Sequence, residues 1–436
     1  MRTFPALVII GFLLLSLLPA SGESIPPKVE KAIKELLEGK NVKDNCEVIL
    51  QSSVSGEALY KRLAKPRKYS DKEKKGQGEE PIKIGDVNLK FGYTVPGSYS
   101  ASKPIPVIIV LHGGVTTPEP FPVSDLVSSM VGPYASTMAK AKEDAIFIAP
   151  QGCKDCVWWA DSGRDMILGA LKIIKRRYNV DTNRVYVSGF SDGGSGSFYC
   201  GAIIPTQFAS VFPFNGMLSN LTAGGNSVFF ENMRNRPFFV VNTAQDETYP
   251  AEATGAFAKG MKDTGVDIES RMFEGIGHEW TYMSKIDADL AKWIKAKKRD
   301  PHRKIVEWAT VNCEKMGRCD WLTIVEQGET AKETEYKPAT VQARGQRMFS
   351  YASKPSHVKV VRDGNNFVVE SSNVRKFKLG LLPEDVDFKK PVTVTVNGEK
   401  VFEGAVEFDA RSVVESYAAD EDAETVYGKY LEVEVK

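Results

Sequence analysis

A serine, an aspartate and a histidine, in that chain order, are the residues of this 436-residue sequence whose spacing could do chemistry. Ser191 lies in "SGFSDGGS", flanked by glycines directly after the apolar run "RVYVSGF". Asp246 follows in "VVNTAQDETYP", just past a second apolar run, and His278 lies in the glycine-rich "FEGIGHEW". A hydroxyl is a weak nucleophile until a neighbouring base takes its proton, and the imidazole that does so needs a carboxylate to fix its tautomer. The three residues therefore predict covalent attack by Ser191, with His278 carrying the proton and Asp246 orienting it. Taken singly, each has a blander reading: a turn serine, a solvated aspartate, a surface histidine. Their order, each at the end of an apolar run, sets them apart. Of four histidines, His278 is the one that follows Ser191 before the chain changes texture near residue 298. Glu247 and Glu274 are the rival carboxylates. Asp246 is preferred, because a shift of one residue at a strand end turns the side chain to the other face.

Attack on a carbonyl also creates an oxyanion, which needs N–H donors. "LHGGV" offers Gly113, Gly114 and Val115, where small residues leave backbone N–H groups open, and the N–H of Asp192 is the second expected donor. His112 precedes the nucleophile and reads as a buttress of that loop. Trp158 and Trp159, in "QGCKDCVWW", and Trp280 are candidate walls for a substrate, with plain core packing the alternative for the first two. Cys153 and Cys156 form a C-x-x-C without the second pair that a zinc site needs, so a local disulfide or two thiols is expected. Cys313 and Cys319 are close enough in sequence to pair. Asn220-Leu221-Thr222 is a glycosylation sequon. No metal and no cofactor is expected.

The elements around these residues alternate. "PVIIVLHGG", "AIFIAP", "RVYVSGF", "PFFVVNTAQDE" and "DIESRMFEG" read as strands. "DLVSSMVGPYASTMAKAKE", "RDMILGALKIIKRRYN" and "DADLAKWIKAKK" read as helices, the first with a Gly-Pro break. The sequence predicts an α/β fold over residues 82–298: a mostly parallel sheet with helices on both faces. Ahead of it, residues 23–81 read as a helical segment, with Val29, Ile33, Leu36 and Leu37 on one face, followed by the charged linker "KPRKYSDKEKKGQGEEP". Residues 304–436 read as a separate, mainly β unit, with hairpins at Asp363-Gly364 and Asn397-Gly398.

Residues 1–22 read as a secretory signal peptide: Arg2, an apolar stretch and small residues near Gly22. A secreted or periplasmic location follows, with no membrane span after cleavage. Lys plus Arg total 57 against 56 Asp plus Glu, and loss of Arg2 with the leader brings the balance to zero. Nothing there invites a nucleic-acid partner.

"LHGG", "GFSDGG", the Asp246 loop and "GIGHEW" together resemble α/β-hydrolase serine esterases of the polyhydroxybutyrate depolymerase, feruloyl esterase and dienelactone hydrolase-like group. They are also similar to the catalytic domain of prolyl oligopeptidase-like peptidases. The resemblance covers residues 82–298 and departs from the pattern at "DETYP" after Asp246. It implies an exported serine hydrolase acting on small or polymeric carboxylic esters. A peptidase is the alternative within the class. The other alternative is a hydrolase fold that has lost catalysis and serves as a binding protein.

Overall fold

The run Ile105–Leu111 is buried at every position, so it cannot be a strand with one wet face. In the computed structural model, which describes residues 24–328, 337–343, 346–349 and 354–435, it is the centre of an eight-stranded sheet. The strands are β1 (Gly76–Ile84), β2 (Val87–Val95), β3 (Ile105–Leu111), β4 (Ile146–Pro150), β5 (Val180–Phe190), β6 (Ser210–Phe214), β7 (Phe238–Thr243) and β8 (Ile268–Phe273). Their spatial order is β1-β2-β4-β3-β5-β6-β7-β8. β2 runs antiparallel to both neighbours, and the strands from β4 to β8 are parallel.

Side chains alternate along a strand, and β3 serves two cores. Val107, Ile109 and Leu111 pack with Met166, Leu171 and Ile174 of the helix Asp161–Arg177. Ile108 and Val110 face Tyr134, Met138, Ile286 and Leu290, which belong to the helical stretches on the other side. This is the α/β-hydrolase arrangement, with every chemical candidate at the carboxyl end of a parallel strand.

Two strands depart from the sequence expectation. β1 begins at Gly76, inside the stretch that reads as linker and ahead of "IKIGDVNLKFGYTVP", which reads as strand, turn, strand. It is an edge strand whose residues are largely exposed, so no apolar run marks its start, yet it pairs with β2 from Gly76↔Val95 to Ile84↔Val87. β6 is short and contains Pro213, which hides it from a strand search. The Gly132-Pro133 break does what its chemistry demands: helix Val123–Leu126 passes through irregular turns before helix Ala135–Ala141.

The region after residue 304 is a β-sandwich. A five-stranded sheet contributes Val306, Trp308, Val358, Val360 and Val394, and a four-stranded sheet contributes Leu322, Ile324, Phe377 and Leu379. Asn397 and Gly398 both have positive φ (50° and 87°), as a tight hairpin turn requires. The region also holds a helix, Ala410–Asp420. Against it pack the three N-terminal helices Pro27–Leu37, Val42–Leu50 and Gly56–Leu63, burying Val29, Ile33, Leu36 and Leu59 around Val413 and Tyr417. The leader expected at 1–22 lies outside the described residues, among which no helix is long and apolar enough to cross a membrane.

Candidate active site

Ser191 occupies the single position between the end of β5 and the helix Asp192–Ala202. Its φ of 61° and ψ of −120° lie where an L-residue with a side chain is strained. The flanking glycines are forced by backbone proximity. A Cβ on Gly193 would lie 1.9 Å from the Leu111 carbonyl oxygen, and one on Gly189 would lie 2.4 Å from the Gly193 carbonyl. The Ser191 N–H donates to Phe214 O at 3.0 Å, which ties the turn to β6.

His278 stands between β8 and the helix Met283–Ala296. Its Nε2 is 2.7 Å from Ser191 Oγ, and its Nδ1 is 2.8 Å and 2.9 Å from the two oxygens of Asp246. A carboxylate accepts only, so Nδ1 carries the proton and Nε2 is left to accept from the serine hydroxyl. The Asp246 side chain is 1% exposed. Beyond His278 it accepts from the backbone N–H groups of Thr248 (2.9 Å) and Tyr249 (2.7 Å) and from Asn215 Nδ2 (2.9 Å). Glu247 and Glu274 are exposed, and neither meets the imidazole.

Asn215 is a residue the sequence reading missed. It follows β6, the strand that was also missed, in a left-handed conformation (φ 45°). Its amide donates to Thr243 Oγ1 as well as to Asp246, and its oxygen accepts from Tyr282 OH. The signal was present as "FNG" after an apolar run, but Asn-Gly reads locally as a turn.

The glycine loop after β3 is held at several points. His112 is buried, which pushes its imidazole toward the neutral form. Its Nδ1 donates to Gly113 O (2.7 Å), and its Nε2 accepts from the Gly152 N–H (2.9 Å). It is the expected buttress. Gly113 lies against Ser191: a Cβ there would be 2.9 Å from Ser191 Cβ and 3.4 Å from its Oγ. Gly114 has φ +69° and carries Phe121 nearby, 40% exposed at the rim. The Val115 N–H donates to Asp192 Oδ2 at 3.0 Å, so it is engaged and is withdrawn from the expected oxyanion donors. The N–H groups at the start of the 192–202 helix, that of Asp192 included, precede its first bond, Ser195 N–H to Ser191 O.

Of the three tryptophans, Trp158 is fully buried and donates from Nε1 to His112 O at 2.8 Å. It braces the loop and offers no face to a substrate, which corrects the expectation. Trp159 is half-buried over Gly224. Trp280 is half-buried against Phe190 (5.2 Å between ring centres), and Phe190 stands 5.0 Å from the His278 ring. Cys153 and Cys156 face each other across a tight antiparallel bridge as thiols, and burial pushes Cys156 up to about 12. Cys313 and Cys319 are likewise unpaired. Asn220 of the sequon donates inward to Ser195 Oγ and Tyr249 OH, which leaves its amide engaged within the fold. A cavity of about 960 Å³ in the β region, lined by Asp385 and Phe388 among others, shares no residue with this site.

A family model described as Phospholipase/Carboxylesterase matches residues 169–294, a span that includes Ser191, Asp246 and His278. A probable feruloyl esterase C of Aspergillus terreus is 26% identical over 160 residues, 35% of this chain and 56% of its own length. A 4-O-methyl-glucuronoyl methylesterase of Neurospora crassa is 25% identical over 192 residues, 39% of this chain and 48% of its own length. The chain thus spans about half the length of these curated relatives. Among solved structures, a ferulic acid esterase aligns with a TM-score of 0.41 at 19% identity, over 50% of this chain and 96% of that one. By strand order the sheet region has the α/β-hydrolase fold, and the matched residues are similar to esterases.

Proposed function

We propose that this chain is an exported serine hydrolase that cleaves carboxylic esters through an acyl-enzyme on Ser191. The observation that carries the reading is the unbroken line Ser191 Oγ, His278, Asp246, with contacts of 2.7 Å and 2.8 Å. Ser191 Oγ attacks the ester carbonyl carbon as His278 Nε2 takes its proton. Asp246 holds the Nδ1–H and stabilises the imidazolium that forms. The oxyanion is received by backbone N–H groups of the Gly113-Gly114 loop and of Asp192, each such donor contributing about 3 kcal/mol. Collapse of the tetrahedral intermediate breaks the C–O bond, and His278 returns the proton to the leaving alkoxide. Water, deprotonated by His278, then attacks the acyl-enzyme and frees the acid and Ser191.

Phe121 beside Gly114, and Phe190 and Trp280 beside His278, offer aromatic surface near Ser191, which favours acyl groups carrying a ring. Relatives named as feruloyl esterases point to the same class, attached to a small alcohol or to a polymer. Residues 1–22 would direct export. The test is Ser191→Ala assayed on p-nitrophenyl acetate and on methyl ferulate. Turnover should fall by roughly 10³-fold or more with melting little changed, and a fluorophosphonate probe should label the parent but not the variant. Retained turnover would remove Ser191 from the chemistry.

A further inference from the structure

The residue after a serine nucleophile is needed for its backbone N–H, and almost any side chain could follow from it. Here it is a carboxylate with both oxygens committed across loops. Asp192 Oδ2 accepts the Val115 N–H at 3.0 Å, and Oδ1 accepts Tyr249 OH at 2.8 Å. An aspartate in a helix's first turn also favours the helix dipole, but that alone needs neither contact. Tyr249 cannot swing freely, because its hydroxyl accepts from Asn220 Nδ2 at 3.1 Å and its own N–H holds Asp246 Oδ1. Its ring also stands edge-on to His278, 5.4 Å between centres. One side chain therefore ties together the serine turn, the glycine loop and the Asp246 loop.

The glycine loop has particular need of a tether. Gly113 and Gly114 have no side chains to pack, and glycine leaves the most backbone freedom to be lost. Val115 is the first residue after them, and Asp192 grips it by the N–H. We propose that the Asp192 carboxylate is a positioning residue that sets the Gly113-Gly114 N–H groups at the place where the oxyanion develops. The proposal rests on the ester-hydrolase reading for its catalytic consequence, though not for the tether itself.

Three variants of the full chain test it: Asp192→Ala, Asp192→Asn and Tyr249→Phe. On p-nitrophenyl acetate, Asp192→Ala should lower kcat about tenfold or more with KM within about threefold, as for a lost transition-state interaction. The preference for an ester over its thionoester should shrink in parallel, since sulfur gains little from N–H donors placed for oxygen. A purely structural role would not move that preference. Asp192→Asn should recover most of kcat, because its carbonyl still accepts from Val115 while its amide donates to the tyrosine oxygen. Tyr249→Phe should cost less than Asp192→Ala, because it leaves the Val115 contact intact. Amide hydrogen exchange over residues 112–117 reads the tether without any activity. It should quicken in Asp192→Ala and return toward the parent rate in Asp192→Asn. Should Asp192→Ala fail to fold, the other two variants decide by the same exchange and selectivity readings. Unchanged exchange, or a lower kcat with unchanged thionoester preference, overturns the proposal. A parent chain without esterase activity overturns the reading beneath it, and exchange still judges the tether.

Discussion

At the scale of single residues, Asp246 and Glu247 separate two kinds of carboxylate. Asp246 is enclosed by four donors from three loops, whereas Glu247, one position on, is exposed. Asp246→Asn should therefore keep the geometry but present an amide to Nδ1, favouring the wrong tautomer. Its kcat on p-nitrophenyl acetate should fall by roughly 10³- to 10⁴-fold, and Glu247→Gln should stay within about twofold of the parent. The reverse ranking would move the orienting role to Glu247. Serine, aspartate and histidine were legible because chemistry restricts the residue type at each place and the fold restricts their order. Asn215, the Asp192 carboxylate and Tyr249 were not legible, since their work is done by contacts across loops that have no sequence spacing. Trp158 misled for a related reason. An aromatic beside a strand end is equally suited to a wall or to a brace, and only the bond to His112 O decides.

At the scale of elements, the serine turn is a steric fit among β3, β5 and the helix that follows. Alanine at Gly193 would place a methyl 1.9 Å from a backbone oxygen, where no side-chain rearrangement relieves it. Gly193→Ala should therefore lose about 3 kcal/mol or more of stability, measured as a shift in the urea midpoint. Gly97→Ala, with nothing within 4 Å, should leave the midpoint nearly unchanged. Equal behaviour of the two would mean that the glycines mark a flexible turn instead. The buried strands and the long helix Asp161–Arg177 were readable from periodicity, because both faces of the sheet are covered. The start of edge strand β1, ahead of Ile82, was not, since pairing on one side and water on the other leave a polar sequence.

At the scale of the whole molecule, the β region is joined to the hydrolase sheet by buried charge. Arg236 pairs with Asp320 and Arg299 with Asp422 (2.5 Å). Lys175, fully buried, donates to Gln207 and to the Asp420 carbonyl, and burial drives its ammonium toward the neutral form. The sequence reading of a separable unit after residue 304 misses these pairs, because each partner looks like an ordinary surface charge. Asp320→Ala would strand the Arg236 guanidinium without its partner, and we expect a loss of about 3–5 kcal/mol in thermal or urea unfolding. A chain ending near Lys298 should lose solubility, and a folded, active fragment would refute this. Acid should loosen the same seam. Burial pushes the Asp422 carboxyl up, but Arg299 and Lys175 outweigh it and hold the group at about 2, below the usual 3.8. That contribution, on the order of 2 kcal/mol, is complete above about pH 4 and is lost as the pH falls toward 2. Asp422→Asn should show a flatter stability profile across that window. The N-terminal helices carry a consequence of another kind. They are 11, 9 and 8 residues long, too short to persist alone, and their apolar sides close on a helix that begins at Ala410. During synthesis the ribosome makes the first piece of this core nearly a whole chain before the last. The helices of residues 27–63 must therefore wait, without their partner, until residues 410–420 arrive to receive them.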